Sequence, residues 1–130
     1  MKEIWKDIPN FEGYYKISNL GRIKSVTRKA KVKILNNDYR TIKGQLISPA
    51  KTRDGYLKVS LSKNHKRYYF KVHRLAAQAF IPNTNNYPCI NHKDENKENN
   101  RVDNLEWCTV KYNCNYGTRN ERIAKANSFK

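Results

Sequence analysis

His92 is the residue of this chain whose type and neighbours best suit acid–base chemistry. An imidazole with an unperturbed pKa near ~6.5 can take a proton from water at neutral pH. Asn91 and Asp94 flank His92 at the start of a polar run that ends at Asn104. Side-chain oxygens of Asn or Asp suit a hard cation such as Mg²⁺. A base beside a hard cation on a basic protein is an arrangement that favours phosphodiester cleavage.

The segments around His92 predict two strands and a helix. Residues 88–90 read as a strand that leads into His92, and the polar run reads as a compact loop, because short polar side chains hydrogen-bond their own backbone. Residues 105–108 alternate Leu and Trp with polar positions and form the returning strand. Thr109 then caps a helix that ends at Gly117.

A β-hairpin and a second helix precede this unit. Residues 55–61 and 67–72 each alternate apolar with polar side chains, and the basic stretch between them reads as the turn. Residues 73–80 have apolar side chains at helical spacing, and Pro82 ends that helix.

Near the N-terminus, residues 14–17 and 22–26 read as two short strands joined by a turn at residues 18–21, where Asn and Gly favour positive φ. Residues 27–45 are basic and weakly patterned. They are compatible either with a mobile loop or with a hairpin around residues 36–38.

The net charge of +16 is placed unevenly along the chain. Residues 1–50 hold 11 basic and 4 acidic side chains and residues 51–74 hold 8 and 1, whereas residues 75–130 hold 8 and 6. An excess of this size, interleaved with Tyr, favours a polyanionic partner. We therefore expect the first 74 residues to bind nucleic acid and the more neutral remainder to accommodate a cation.

Residues 72–115 resemble the HNH endonucleases of the phage and intron-encoded homing type, which have the ββα-metal fold. The resemblance rests on VHRLAAQAF, INHKDENKENN, NLEW and Asn113. The segment EIWKDIPNFEGYYKISNLGRIKSV resembles the short DNA-binding module that commonly precedes such nucleases. The resemblance implies an α+β fold, with an N-terminal antiparallel β-sheet DNA-binding module (1–50), a β-hairpin, helix and ββα-metal (HNH) nuclease core (51–117) and a basic tail (118–130).

The resemblance also implies roles for individual residues. His92 would be the general base, and Asn104 would orient it by tying the loop to the strand. Asn91 and Asn113 would hold one Mg²⁺ or Mn²⁺ ion. Many relatives carry Asp at the position of Asn91, so Asp94 is a possible substitute carboxylate.

Charge and position predict the contacts to double-stranded DNA. His73 fits a phosphate contact and a packed helix start equally well. The full set of predicted contacts is Arg22, Lys24, Arg28, Lys29, Lys31, Lys33, Lys63, Lys66, Arg67, His73 and Arg74.

The expected function is a metal-dependent DNA endonuclease that nicks one strand, and two other functions compete with it. A decayed HNH core would leave a DNA-binding regulator, and the nine tyrosines could serve an RNA-binding β module. The three cysteines are expected to be small buried apolar residues. The alternative, a zinc site of three cysteines with His92, would use the residue proposed as the base, and no CxxC pair is present. Without an apolar span or leader, we expect a cytoplasmic protein that does not bind membranes. The lack of a heptad repeat or a long apolar stripe favours a monomer. The family resemblance implies a phage or mobile-element protein that acts in the host cell.

Overall fold

The computed structural model describes residues 2–31 and 39–117, which form four antiparallel sheets and two α-helices. Neither described helix is long and apolar enough to cross a lipid bilayer. The strands are β1 (Trp5–Asp7), β2 (Tyr15–Ser18), β3 (Ile23–Ser25), β4 (Arg28–Lys31), β5 (Tyr39–Ile42), β6 (Leu46–Ile47), β7 (Ala50–Lys51), β8 (Leu57–Lys63), β9 (Lys66–Lys71), β10 (Cys89–His92) and β11 (Leu105–Cys108), and the helices are α1 (Val72–Phe80) and α2 (Val110–Asn115).

The N-terminal sheet has the strand order β1-β2-β3-β6. Its β2–β3 turn contains Gly21 at φ +81°, a conformation that glycine adopts without a steric penalty. The buried Asn19 side chain accepts from the amide of Ile4 at 2.8 Å and donates to the carbonyl of Lys2 at 2.9 Å. The two strands and the turn predicted here, and the predicted N-terminal antiparallel sheet, are confirmed.

The basic segment that follows β3 forms a hairpin rather than a loop. Strands β4 and β5 pair antiparallel, with Arg28 opposite Ile42. The predicted tip, and Lys33 with it, lie outside the described residues.

The turn of the next hairpin is shorter than the alternation of side chains predicts. Strands β8 and β9 pair from Lys58–Lys71 to Lys63–Lys66, which leaves a turn of only Asn64 and His65, both at positive φ. A two-residue turn of this kind matches the right-handed twist of the strands and allows them to extend further. Helix α1 begins directly after β9, without a side-chain cap.

Among the described residues, one buried apolar cluster contains side chains from both predicted modules. Ile8 and Ile17 from the N-terminal segment belong to the same cluster as Leu61 of β8, Leu75 of α1 and Ile90 of β10. Each such side chain stabilises the fold by roughly 1.5–3 kcal/mol when fully buried. The described N-terminal residues and the nuclease-like residues therefore pack as one unit, and the boundary at residue 50 stays a prediction.

Candidate active site

The pairing of β10 with β11 positions the central residues of the site. His92 lies opposite Leu105 and Asn91 lies opposite Glu106. Helix α2 follows β11 at once, and its Thr109 cap accepts from the amide of Tyr112 at 3.1 Å. The predicted order of strand, loop, strand and helix is confirmed.

Asn104 and Asp94 hold the loop between these strands. Asn104 Oδ1 accepts from the amide of Asp94 at 3.0 Å, and its Nδ2 donates to Asp94 Oδ1 and to the carbonyl of Asn99, both at 2.9 Å. The Asp94 carboxylate also accepts from Asn99 Nδ2 and from the amide of Asn96, and these bonds lower its pKa. Asp94 is thus committed to the loop and does not line the cavity described below, which speaks against its use as a substitute cation ligand.

His92 is held by Asn100, a residue that the sequence placed in the loop without a further role. His92 is only 5% exposed as a residue, and its Nε2 lies 2.9 Å from Asn100 Oδ1. Because a carboxamide oxygen only accepts, this contact places the ring proton on Nε2 and leaves Nδ1 as the basic atom. Burial lowers the pKa of His92, so its imidazole is neutral and able to accept a proton at pH 7.

The turn before β3 packs directly against Asn100, the residue bonded to His92. A Cβ on Gly21 would lie 2.7 Å from the carbonyl oxygen of Asn100, so only glycine fits there. Next to this contact, the amide of Val102 donates to the carbonyl of Asn19 at 3.0 Å. The N-terminal sheet therefore packs against the loop that contains Asn100.

His73 lies inside the protein, 6% exposed, and not on an outer face that could meet phosphate. Its ring stacks on Tyr56 with centroids 4.9 Å apart and lies 5.2 Å from the ring of His92. Its Nδ1 has no hydrogen-bond partner among the described residues. Burial, with smaller contributions from His92, Lys71 and Arg74, lowers the pKa of His73 to about 3. The burial of His73 matches the packed-helix reading of this residue, and Tyr56 is a neighbour that the sequence did not single out.

We predict that His73 makes the fold acid-sensitive. In the unfolded chain His73 takes up a proton near its usual pKa of 6.5, whereas in the folded chain it does so only near 3. The resulting stability is present above pH 6.5 and is lost as the pH falls, by about 1.4 kcal/mol per pH unit. Between pH 7 and pH 5, the free energy of unfolding of His73→Phe should therefore fall by about 2 kcal/mol less than that of the parent chain, measured by urea denaturation. Equal losses in both proteins would contradict this.

Asn91, His92 and Asn113 line one open cavity of about 290 Å³. The positively charged side chain on the wall of this cavity is that of Lys97. The Lys97 ammonium donates to the carbonyl of Asp54 at 2.7 Å and lies 4.7 Å from the centroid of the Tyr56 ring. The rest of the lining is Asp54, Tyr56, Glu95, Cys114 and Tyr116.

The donors of this cavity fit a hard cation and do not fit zinc. Mg²⁺ keeps several waters and is usually bound through one or two protein oxygens together with substrate phosphate. The amide oxygens of Asn91 and Asn113 are such donors. No group of three or more His, Cys, Asp or Glu side chains that could hold a metal occurs in residues 2–31 and 39–117. Cys89 and Cys108 face each other at the far end of the β10–β11 pair from His92, roughly 10 Å along the strand, so a Cys₃His site is not formed.

Among the predicted DNA contacts, Arg22, Lys29, Lys66 and Arg67 have exposed side chains. The latter two flank the β8–β9 turn, from which they can reach a phosphate backbone. Lys31 ends strand β4.

Five of the predicted contacts, the exposed Arg22 among them, interact with other residues of the protein. Arg22 forms an ion pair with Glu3, and the Lys24 ammonium lies 4.1 Å from the centroid of the Trp5 ring. The other three are Arg28, Lys63 and Arg74. The Arg28 guanidinium lies 4.8 Å from the Tyr14 ring centroid, and Lys63 donates to the carbonyl of Asn10 at 2.6 Å. Arg74 donates to the carbonyl of Pro88 at 3.2 and 3.3 Å.

Comparison with known proteins identifies both parts of the chain. Residues 3–62 match the NUMOD4 motif and residues 70–114 match the HNH endonuclease family. The chain is 37% identical over 109 residues to the DNA endonuclease I-HmuI of Bacillus phage SP01, a match that covers 84% of this chain and 54% of the phage protein. It is 51% identical over 67 residues to an uncharacterized HNH endonuclease of Acanthamoeba polyphaga mimivirus, covering 52% of this chain and 20% of that protein.

The fold agrees with these matches. A solved structure of the HNH homing endonuclease I-HmuI, from work on its DNA binding and cleavage, superposes with a TM-score of 0.67 at 31% identity. The superposition covers 96% of this chain and 68% of the chain in that structure. The present chain spans about half or less of the length of the two curated relatives described above. The matching motifs, identity and fold together place this chain in the HNH family of homing endonucleases.

Proposed function

We propose that this chain binds duplex DNA and hydrolyses one phosphodiester bond in it, nicking one strand, with Mg²⁺ or Mn²⁺ as the cofactor. The observation that carries the proposal is the convergence of Asn91, His92 and Asn113 on one open cavity. The similarity to I-HmuI, whose structure concerns DNA binding and cleavage, supports the same reaction class. The viral and phage origin of the relatives favours action on DNA inside an infected cell.

His92 supplies the proton acceptor. With its Nε2 proton bonded to Asn100, its Nδ1 can accept a proton from a water that attacks the phosphorus. The lowered pKa of His92 keeps the imidazole in its basic form at neutral pH. Lys97, on the wall of the same cavity, can neutralise charge on a phosphate held there.

Asn91 and Asn113 would hold the cation through their side-chain oxygens. A divalent cation bound there would stabilise negative charge on the scissile phosphate and on the leaving oxygen. Because the two amides carry no charge, we infer weak metal affinity in the absence of DNA.

A single site per chain favours one cut per binding event. One HNH match spans residues 70–114, and the described residues contain one ββα unit. A monomer would therefore nick, whereas a homodimer could cut both strands.

Plasmid relaxation tests the proposed reaction. Supercoiled plasmid incubated with the full chain and Mg²⁺ or Mn²⁺ should give nicked circles, and EDTA should abolish them. DNA binding without any nicking in either metal would instead favour the decayed, regulatory reading of the HNH core.

We predict DNA affinity that depends strongly on salt, because the net charge of +16 makes counterion release a large contribution. The logarithm of the binding constant should fall by roughly 0.9 per phosphate neutralised for each tenfold rise in salt. Replacing both Lys66 and Arg67 by Ala should reduce this slope by about 2. Lys111→Ala combined with Arg101→Ala removes the same two charges at exposed positions of the more neutral half, and this charge-matched control should reduce the slope far less. Equal effects of both changes would assign the slope to net charge alone.

A further inference from the structure

Glu106 is a carboxylate next to the proposed cation site that has no role in the reaction described above. It stands directly opposite Asn91 across the β10–β11 pair. Its Oε1 accepts from Asn91 Nδ2 at 2.9 Å and from the hydroxyl of Tyr112 at 3.1 Å. One carboxylate oxygen therefore connects the strand that carries one proposed ligand with the helix that carries the other.

The bond to Glu106 sets which atom Asn91 presents to the cavity. A carboxamide has an oxygen side that accepts and a nitrogen side that donates. The nitrogen of Asn91 is directed to Glu106, which does not line the cavity, whereas Asn91 itself does. With only 5% of Asn91 exposed, the amide has little room to turn over. Its oxygen is the atom left for a cation.

Glu106 also places negative charge next to two ligands that have none, in addition to the Asp54 and Glu95 carboxylates that line the cavity. The Asp94 carboxylate, as described above, is committed to the loop. A carboxylate that accepts the amide hydrogen of a ligand increases the electron density on the ligand's oxygen. Tyr112 immediately precedes Asn113, so the second bond to Glu106 fixes the part of α2 that carries that ligand.

We propose that Glu106 is the positioning residue of the cation site: it directs the Asn91 oxygen into the cavity and supplies, across the strand pair, the negative charge that both amide ligands lack. The inference rests on the proposed function, because it assigns a role towards the cation of that same site. Glu106 would act through Asn91 and Asn113 and would not touch the substrate.

A purely structural role would depend on the hydrogen bonds of Glu106 and not on its charge. Glu106→Gln separates the two, because it keeps the length of the side chain and an accepting oxygen but removes the charge. Glu12→Gln removes the same charge at an exposed position of the N-terminal segment and serves as the matched control. Melting temperatures from circular dichroism establish that both variants fold.

Titration of Mn²⁺ alone into the ¹⁵N-labelled full chain provides a direct readout of the site. Bound Mn²⁺ broadens the NMR signals of nearby groups, here the side-chain amides of Asn91 and Asn113. The Mn²⁺ concentration that half-broadens them should rise about tenfold in Glu106→Gln and stay unchanged in Glu12→Gln. Tyr112→Phe removes one bond without removing the charge, and it should give a smaller rise. The same midpoint in Glu106→Gln and the parent chain would overturn the proposal.

Exchanging the two functional groups across the strand pair gives an independent test. Asn91→Asp alone sets two carboxylates directly opposite each other, so the metal-free protein should melt at a lower temperature. Asn91→Asp combined with Glu106→Gln restores one donor and one acceptor across the strand pair. The double variant should recover the melting temperature lost in Asn91→Asp and the Mn²⁺ affinity lost in Glu106→Gln. Additive effects of the two changes would mean that the pair is not coupled, which contradicts the proposal.

The outcomes distinguish this inference from the proposed function. A parent chain that neither nicks plasmid nor shows broadening at Asn91 and Asn113 would overturn both. A parent chain that nicks and shows the broadening, with Glu106→Gln behaving identically, would overturn only the role of Glu106.

Discussion

His92→Ala should lower the rate of DNA nicking by about 10²–10⁴-fold, because it removes the group that we propose accepts the proton of the attacking water. DNA affinity should remain nearly unchanged, since a neutral imidazole contributes little beside 27 Lys and Arg side chains. Single-turnover cleavage and a filter-binding isotherm on the same DNA would measure the two effects separately.

The cleavage defect of His92→Ala should be reversed by a small molecule that replaces the missing ring. His92 is buried beside an open cavity, so its removal leaves a space that free imidazole can enter. Added imidazole should restore part of the cleavage, whereas additional Mg²⁺ should not, because no concentration of cation supplies a positioned base. Full activity of His92→Ala without imidazole would exclude the proposed mechanism.

Asn113→Ala should show the opposite pattern, because it removes an oxygen that would hold the cation. We expect the Mg²⁺ or Mn²⁺ concentration for half-maximal nicking to rise by on the order of 100-fold, with much of the rate recovered at high metal concentration. Metal titrations of the nicking rate would measure this shift.

Asn115→Ala is the control for Asn113→Ala, since it makes the same chemical change at the last residue of the same helix, which does not line the cavity. It should leave the metal requirement close to that of the parent chain. A metal requirement that Asn113→Ala also leaves unchanged would remove this residue from the proposed site.

The local parts of the fold could be read from the sequence because their signals lie within a few residues. The polar run after His92, the capping Thr109 and the alternation in β8 and β9 each fix one element through its own backbone preferences. The α+β class and the order of the elements followed from these signals together with the family resemblance. The sequence left residues 27–45 open, because a basic, weakly patterned segment gives no periodicity that separates a loop from a hairpin.

The contacts that tune the site could not be read in this way. Tyr56 reaches His73 and His92 from a different part of the chain, and only the packing of α1 beneath the hairpin brings them together. The partnership of Asn91 with Glu106 depends on the register of two strands, which a shift by one residue would abolish. Among several asparagines in the loop, nothing in the sequence distinguishes Asn100 as the partner of His92.

The contact between Gly21 and Asn100 bears on how such proteins can be recombined. If the N-terminal segment were an independent recognition cassette, it could be exchanged for that of another nuclease to retarget cleavage. Here the replacement would need a turn of the same shape, with glycine at the point of contact, because any larger residue would press on the backbone of Asn100. A graft that binds its new target well could therefore still be a poor nuclease. Chimeras of this family should be joined so that the turn and the loop come from the same parent.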